Sequence, residues 1–301
     1  MNCRSYQVSA VLLAGCWLTA TAVAQDAVSG PFKISGEYLA EETFIGSADV
    51  RSGAVRVRNF DESDSIIRFI LTPRIKFGVL RVGMYWERFT FDLPRSAPLP
   101  DTLQQLSLVL GLDTQISDSI LLRVEVQPGV YDTGFSNDWS DDLNVPFIVG
   151  GTYIYNSNLQ FVAGVAVDVE RKYPVLPAAG VRWKVARQWV VNGVLPTPRL
   201  EFNAYRDLTL FVGANIKQTN FRVDDNFGTA HGNPKLNHAV LSYSEARTGI
   251  GFEWKLSSIF ALTGDIGYQP YRSFDFHRAH VRFKEDGSSA PYGMVSLRGA
   301  F

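Results

Sequence analysis

Three features of the chain predict one architecture. Fourteen segments alternate apolar with polar residues, the connections between them alternate in length, and charged residues gather on one side of the alternation. Together they predict an all-β chain, an antiparallel up-and-down transmembrane β-barrel of about 14 strands. Twelve strands is the alternative if the weak pair around residues 189–204 lies outside the wall. A soluble β-sandwich also has many short alternating strands, but it has no reason to sort its connections by length.

The first strand is expected near Phe32–Ala40, with Ile34 and Tyr38 opposite Lys33, Ser35 and Glu37, and residues 41–60 read as a loop. Ser65–Thr72 ends before Pro73, which cannot donate to a ladder. In Val79–Phe89, Leu80, Val82, Met84 and Trp86 alternate with Arg81, Tyr85 and Glu87. Past the Pro-rich stretch 93–100, Leu106, Leu108, Leu110 and Leu112 give the clearest alternation in the chain. A tight turn at Asp113–Asp118 leads to Leu122, Val124 and Val126, followed by an acidic, aromatic loop over 130–144.

Val145–Tyr155 and Leu159–Val169 form a hairpin around Asn156-Ser157-Asn158. Further strands are expected at Leu176–Ala186, Trp189–Leu195, Arg199–Ala204 and from Leu208 through Lys217. After a polar loop near 223–237, strands run over Ala239–Leu256 and from Phe260 past Tyr268. Loop 275–290 then leads to the closing strand. Long connections at 41–60, 90–102, 130–144, 223–237 and 275–290 alternate with short ones at 73–78, 113–118, 156–158, 186–188, 205–207 and 257–258. The stretches 170–175 and 196–198 break the rule.

Arg4, the apolar run Val8–Leu18 and Ala22-Val23-Ala24 form a secretory leader with an A-x-A cleavage site, dividing the chain into 1–24 and a barrel over 25–301. A competing match, Leu13-Ala14-Gly15-Cys16, would be lipidated at Cys16, but it leaves an unusually short apolar segment. Both cysteines, Cys3 and Cys16, lie in the leader, so disulfides cannot stabilise the exported part. The 29 Lys and Arg residues include Arg4 and face 30 Asp and Glu, a balance with no basic excess to recruit nucleic acid. No apolar run approaches the ~18–20 residues of a membrane-spanning helix.

The last strand, Ala290–Phe301 (APYGMVSLRGAF), places Phe301, Gly299, Leu297, Val295 and Gly293 on one face and Arg298, Ser296 and Met294 on the other. A chain ending on an aromatic residue within a period-two strand resembles the closing strand of Gram-negative outer-membrane β-barrels, porin-like proteins of a kind with no assigned chemistry. Gly299 departs from the pattern, since many such strands carry a second aromatic there. The resemblance implies an outer-membrane location, contact with membrane lipid and lipopolysaccharide, and recognition of Ala290–Phe301 by the barrel-insertion machinery. It also orients the chain, with short periplasmic turns and longer extracellular loops. Trp86, Tyr155, Trp189, Trp254 and Tyr268 are candidates for interfacial girdles.

With Phe301 toward lipid, the inward face carries Arg81, Arg123, Arg182, Lys184, Lys217, Arg247, Lys255 and Arg298. The acidic partners on that face are Glu87, Glu125, Asp168, Glu201, Glu245, Glu253 and Asp265. On the lipid side each charge would cost ~2–4 kcal/mol near the midplane. Eight positive against seven negative residues is not the single-sign ring of a strongly ion-selective pore. Two readings fit: a water-filled passage for small polar solutes, or a plug of salt-bridged side chains in a narrow barrel.

A closed structural or surface-binding barrel, acting through loops 130–144, 223–237 and 275–290, is the alternative function. An enzyme of lipid hydrolysis or acyl transfer would need a nucleophile beside a base. His231, His238, His277 and His280 all fall in or near outer loops with no such partner, so no catalytic residue is assigned. Asp138, Asp141 and Asp142 lack the ordered spacing of a Ca²⁺ loop, and Asp224-Asp225-Asn226 reads as solvated. No cofactor or metal site is expected, and phosphate-loop, dinucleotide and zinc signatures are absent. Mass spectrometry of the exported protein is expected to find Gln25 as its first residue; an acylated Cys16 at the terminus would show lipoprotein processing instead.

Overall fold

The computed structural model describes residues 35–94, 96–134, 142–287 and 289–301. The leader, Cys16, the beginning of the first expected strand, Asp138 and Asp141 lie outside the described residues. Fourteen strands close into one antiparallel barrel. They are β1 (Gly36–Ser52), β2 (Val55–Leu71), β3 (Gly78–Phe91), β4 (Thr102–Ser117) and β5 (Ile120–Val126 continued by Gly129–Asp132). Next come β6 (Leu143–Asn144 continued by Phe147–Asn156), β7 (Leu159–Val167), β8 (Val175–Lys184), β9 (Trp189–Asn192) and β10 (Arg199–Asn203). The last are β11 (Leu208–Arg222), β12 (Val240–Lys255), β13 (Phe260–Phe276) and β14 (Val281–Glu285 continued by Ala290–Ala300). The weak pair, β9 and β10, is in the wall: β9 pairs with β8 and β10, and β10 pairs with β11. That excludes the twelve-strand alternative.

Closure joins the first strand to the last, which is what a spanning sheet requires. β14 joins β1 from Glu37↔Ala300 to Ile45↔Tyr292. Gly36 and Phe301 exchange backbone hydrogen bonds of 2.9 and 3.0 Å, and the Phe301 ring stacks on Phe69. The departure at Gly299 has a local cause. The Tyr38 ring lies where a Gly299 Cβ would be, 2.3 Å away, so β1 supplies the second aromatic.

Outward-facing Ile67, Met84, Leu108, Phe161, Val212, Ile250, Ile266 and Val295 are exposed and form an apolar belt. Tyr155, Trp189, Trp254 and Tyr268 are exposed on the outer face, while Trp86 is half-buried. The connections at one rim are short throughout: 72–77, 118–119, 157–158, 185–188, 204–207 and 256–259. At the other rim they vary widely.

Two expected loops are in fact strand. Residues 41–60 form the upper parts of β1 and β2, joined by a tight turn in which Gly53 has φ +57°. Residues 275–290 contain the end of β13, a turn at 277–280 and Val281–Glu285 of β14. These stretches do not repeat the pattern of the lower barrel because the pattern inverts on leaving the belt. Below, apolar residues face out and charges face in. Above, the outside carries Asp61, Ser63 and Ser65, while Val50, Val57, Phe60, Phe274, Phe276 and Phe283 are buried inside.

The barrel is therefore uneven in height. β1, β2 and β13 have 17 residues each, whereas β9 and β10 have 4 and 5. Above the short strands, β11 meets β5 directly through a parallel bridge, Arg222↔Asp132. The tall strands β1–β5 and β11–β14 thus draw together into a tower, leaving β6–β10 as a low wall beside it.

Aromatic side chains fill the tower. Phe89 lies 6.0 Å from Phe221 and 4.9 Å from Tyr243, and Phe91 lies 5.1 Å from Phe274. Residues 92–101 add Ala97 and Leu99 from above; residues 223–239, with a helical turn at Phe227–Ala230, add Val223, Phe227 and Leu236. At the short rim, Gly78 (φ +147°) sits where a Cβ would fall 2.0 Å from the Asp113 carbonyl oxygen. Gly78→Val is expected to cost about 1–3 kcal/mol, read as a lower temperature of conversion from folded to unfolded band on a heat-shift gel.

Candidate functional site

Directly beneath the aromatic plug the inner face becomes charged. One step down each tall strand turns Phe60 into Glu62, Phe89 into Glu87, Tyr243 into Glu245 and Phe274 into Arg272. These residues form one layer across the interior. Lys217 of β11 reaches Asp64 on β2 at 2.6 Å and Glu87 on β3 at 2.7 Å, while Gln105 donates to Glu87 at 3.1 Å. Arg272 meets Glu62 at 3.0 Å, and the Tyr243 hydroxyl donates to the same carboxylate at 2.6 Å. Arg247 donates to Thr43 at 2.7 Å and lies 3.4 Å from Glu245. The Lys217 ammonium also lies 5.0 Å from the Phe89 ring centre, tying layer to plug.

Nearer the short rim, Arg81 is held by Glu37 at 3.2 Å and Glu125 at 3.3 Å, and Arg123 by Asp113 at 2.5 Å. Arg182 pairs with Glu201 at 3.3 Å, and Arg298 pairs with Glu253. Asp265 borders a small polar cavity with Glu41, Arg199, Arg247 and Tyr292. Lys184 is exposed at the end of β8, and Lys255 is half-buried at the end of β12. Asp168 stands apart from these. It lies just beyond β7, buried in the seam between low wall and tower, where Asn144 and Asn220 donate to it at 3.0 and 2.6 Å.

Sequence reasoning missed Glu37, Glu41, Glu62, Asp64, Arg68, Asp113, Arg199 and Arg272. Glu41, Glu62 and Asp64 fell in or beside the stretch read as loop 41–60. Their signal was present as continued alternation, Glu62 and Asp64 against Ser63 and Ser65.

The step between low wall and tower leaves an opening. β8 pairs with β9 only through Arg182–Lys184, with one further bond from the Gly193 N–H to the Val181 carbonyl at 2.7 Å. Between Val175 and Ala179, β8 has no backbone partner on that side among the described residues. Facing it, β11 accepts the last backbone support from below where the Ile216 N–H donates to the Pro196 carbonyl at 3.0 Å. Arg171 closes the gap from above by donating to the Gln218 carbonyl at 3.1 Å, and Arg222 by pairing with Glu170 at 3.0 Å.

Between these limits lies a cavity of about 320 Å³. Inward-facing Arg68, Glu87, Gln105 and Lys217 line its inner end; outward-facing Phe147 and Ile216 line its outer end. The chamber is thus lined by residues of both faces of the wall.

Among the described residues, no group of three His, Cys, Asp or Glu side chains could hold a metal ion. His238 lies 2.9 Å from Asp225, and the His231 ring nitrogen lies 2.8 Å from the Phe227 carbonyl oxygen. Neither is beside a nucleophile in these contacts. Lys217→Met would leave Asp64 and Glu87 facing each other in the interior. It is expected to cost about 3–5 kcal/mol in urea unfolding, with part recovered when Asp64→Asn and Glu87→Gln are added.

Among solved structures, the chain is similar to the Pseudomonas putida toluene transporter TodX, with 10% identity over 87% of this chain and 89% of that one and a TM-score of 0.44. It is also similar to the KdgM porin in complex with disordered oligogalacturonate, with 8% identity over 89% and 99% and a TM-score of 0.35. A third is the CymD monoaromatic hydrocarbon channel, with 8% identity over 88% of each chain and a TM-score of 0.39. No curated protein matches it in sequence. The family described as a domain of unknown function, DUF6268, matches residues 72–297, more than half of the chain, and the protein belongs to that family.

Proposed function

We propose that this protein is a passive channel of the bacterial outer membrane, passing small solutes by a side route rather than along the barrel axis. The observation that carries this reading is the chamber of about 320 Å³ lined both by inward-facing Arg68, Glu87 and Lys217 and by outward-facing Phe147 and Ile216. Its position suits such a route. From Leu208 to Ile216, at ~3.3 Å per residue and a tilt of ~40°, the gap stands roughly 20 Å above the short rim, near the upper side of the apolar belt. An unpaired strand edge at that depth is tolerated where it lines a water-filled cavity, not where it meets acyl chains.

The short rim then faces the periplasm and the tower faces outward, with lipopolysaccharide around it. Ala290–Phe301, closing the barrel on β1, is the strand the insertion machinery would read. Catalysis forms no part of this reading.

A second reading, a closed barrel that binds partners through its outer loops, is favoured by the aromatic plug, which fills the tower. Conductance separates the two. Purified protein in a planar bilayer is expected to give discrete steps, and Ala178→Trp, which fills the chamber from β8, to reduce them about tenfold. A silent, folded wild-type protein would favour the closed barrel.

A further inference from the structure

The chamber has two chemically distinct ends, and its inner end holds a cation that has no ion pair among the described residues. Lys217 is committed to Asp64 and Glu87, and Arg171 lies 3.6 Å from Asp168. Arg68 lines the same chamber, half-buried on β2 between Leu39 and Tyr85 of the neighbouring strands. It has no ion pair among the described residues. A guanidinium in that position offers a fork of donors matched to a carboxylate.

The rest of the lining is mostly apolar: Ile148, Ala166, Leu176 and Ala178 from the low wall, Leu195 and Pro196 from the connection below. Gln105, Gln127, Asn215 and Thr219 add neutral polar groups beside the charged ones, so the cavity joins a polar side to an apolar one, at a size usual for a small-molecule site.

We propose that the chamber recognises a small amphipathic carboxylate, its anionic head on Arg68 and its apolar body directed toward the wall opening. This rests on the side-route reading above and names its solute class. A purely polar solute would leave the Leu176, Leu195 and Pro196 end without a partner. A purely apolar one would leave the Arg68 guanidinium unused.

The test uses the mature chain in nanodiscs with two probes of one shape, cyclohexanecarboxylate and cyclohexylmethanol, measured by calorimetry. The wild type is expected to prefer the carboxylate about tenfold or more, the scale of one charge-assisted contact. Arg68→Gln is expected to abolish the preference by weakening carboxylate binding far more than alcohol binding, and Arg68→Lys to keep part of it. Ala178→Trp is expected to weaken both. Equal binding of the two probes by the wild type, or a preference that survives Arg68→Gln, would overturn the proposal. If Arg68→Gln fails to fold, lack of preference in both wild type and Arg68→Lys overturns it alone. Conductance of the same preparations separates the two claims: steps without carboxylate preference retain the channel and reject the ligand class, whereas carboxylate preference without steps rejects the channel and retains the site.

Discussion

The change of inner lining beneath the tower governs much of this structure. Above it, Phe89, Phe91, Phe221, Tyr243 and Phe274 pack as a core inside the barrel. Below it, Lys217, Arg247 and Arg272 are matched against Asp64, Glu87, Glu245 and Glu62. Neither half is free to change alone. The aromatic side chains cover the charged layer from above, and Glu62, Asp64, Glu87 and Glu245 are buried in it, which makes each missing partner there expensive. The charged layer in turn holds β2 and β3 against β11 and β12 across the interior, at the spacing the aromatic rings fill.

Drawing the tall strands together has a geometric consequence. Nine strands can close above only if β6–β10 stop below, and the Arg222↔Asp132 bridge marks where they are left out. The seam at that step is stitched by side chains instead of a ladder: Asp168 with Asn144 and Asn220, Arg171 with the Gln218 carbonyl, Arg222 with Glu170. Where the stitching ends, the wall is open. The chamber is therefore a product of unequal strand length, and the extent of β9 and β10 sets its lower edge.

The alternation of Leu106, Leu108, Leu110 and Leu112, and of Ile250, Phe252 and Trp254, made the lower barrel readable because lipid demands apolar residues on one face throughout the belt. The same logic hid the tower. Once strands leave the belt, Glu42, Ser63 and Ser65 on the outside and Phe60 on the inside reverse the rule, so polar stretches resembled loops. The inward residues Arg81, Glu87, Lys217 and Arg298 were legible one strand at a time. Their pairings were not, since Lys217 and Asp64 are separated by 153 residues and meet only when the barrel closes. Arg68 was not legible because Ile66, Ile67, Phe69, Ile70 and Leu71 put apolar residues on both faces of its strand, so no alternation gives its direction.

Where water enters the barrel from outside separates a route through the wall from one along the axis. No cysteine follows Cys16, so single cysteines report their own position. In intact cells treated with a water-soluble, membrane-impermeant maleimide, Ala178→Cys in the chamber is predicted to be labelled. Phe91→Cys in the plug is predicted to stay unlabelled until the protein is denatured. Rapid labelling of Phe91→Cys in the folded protein, with Ala178→Cys silent, would place the route along the axis and contradict the account.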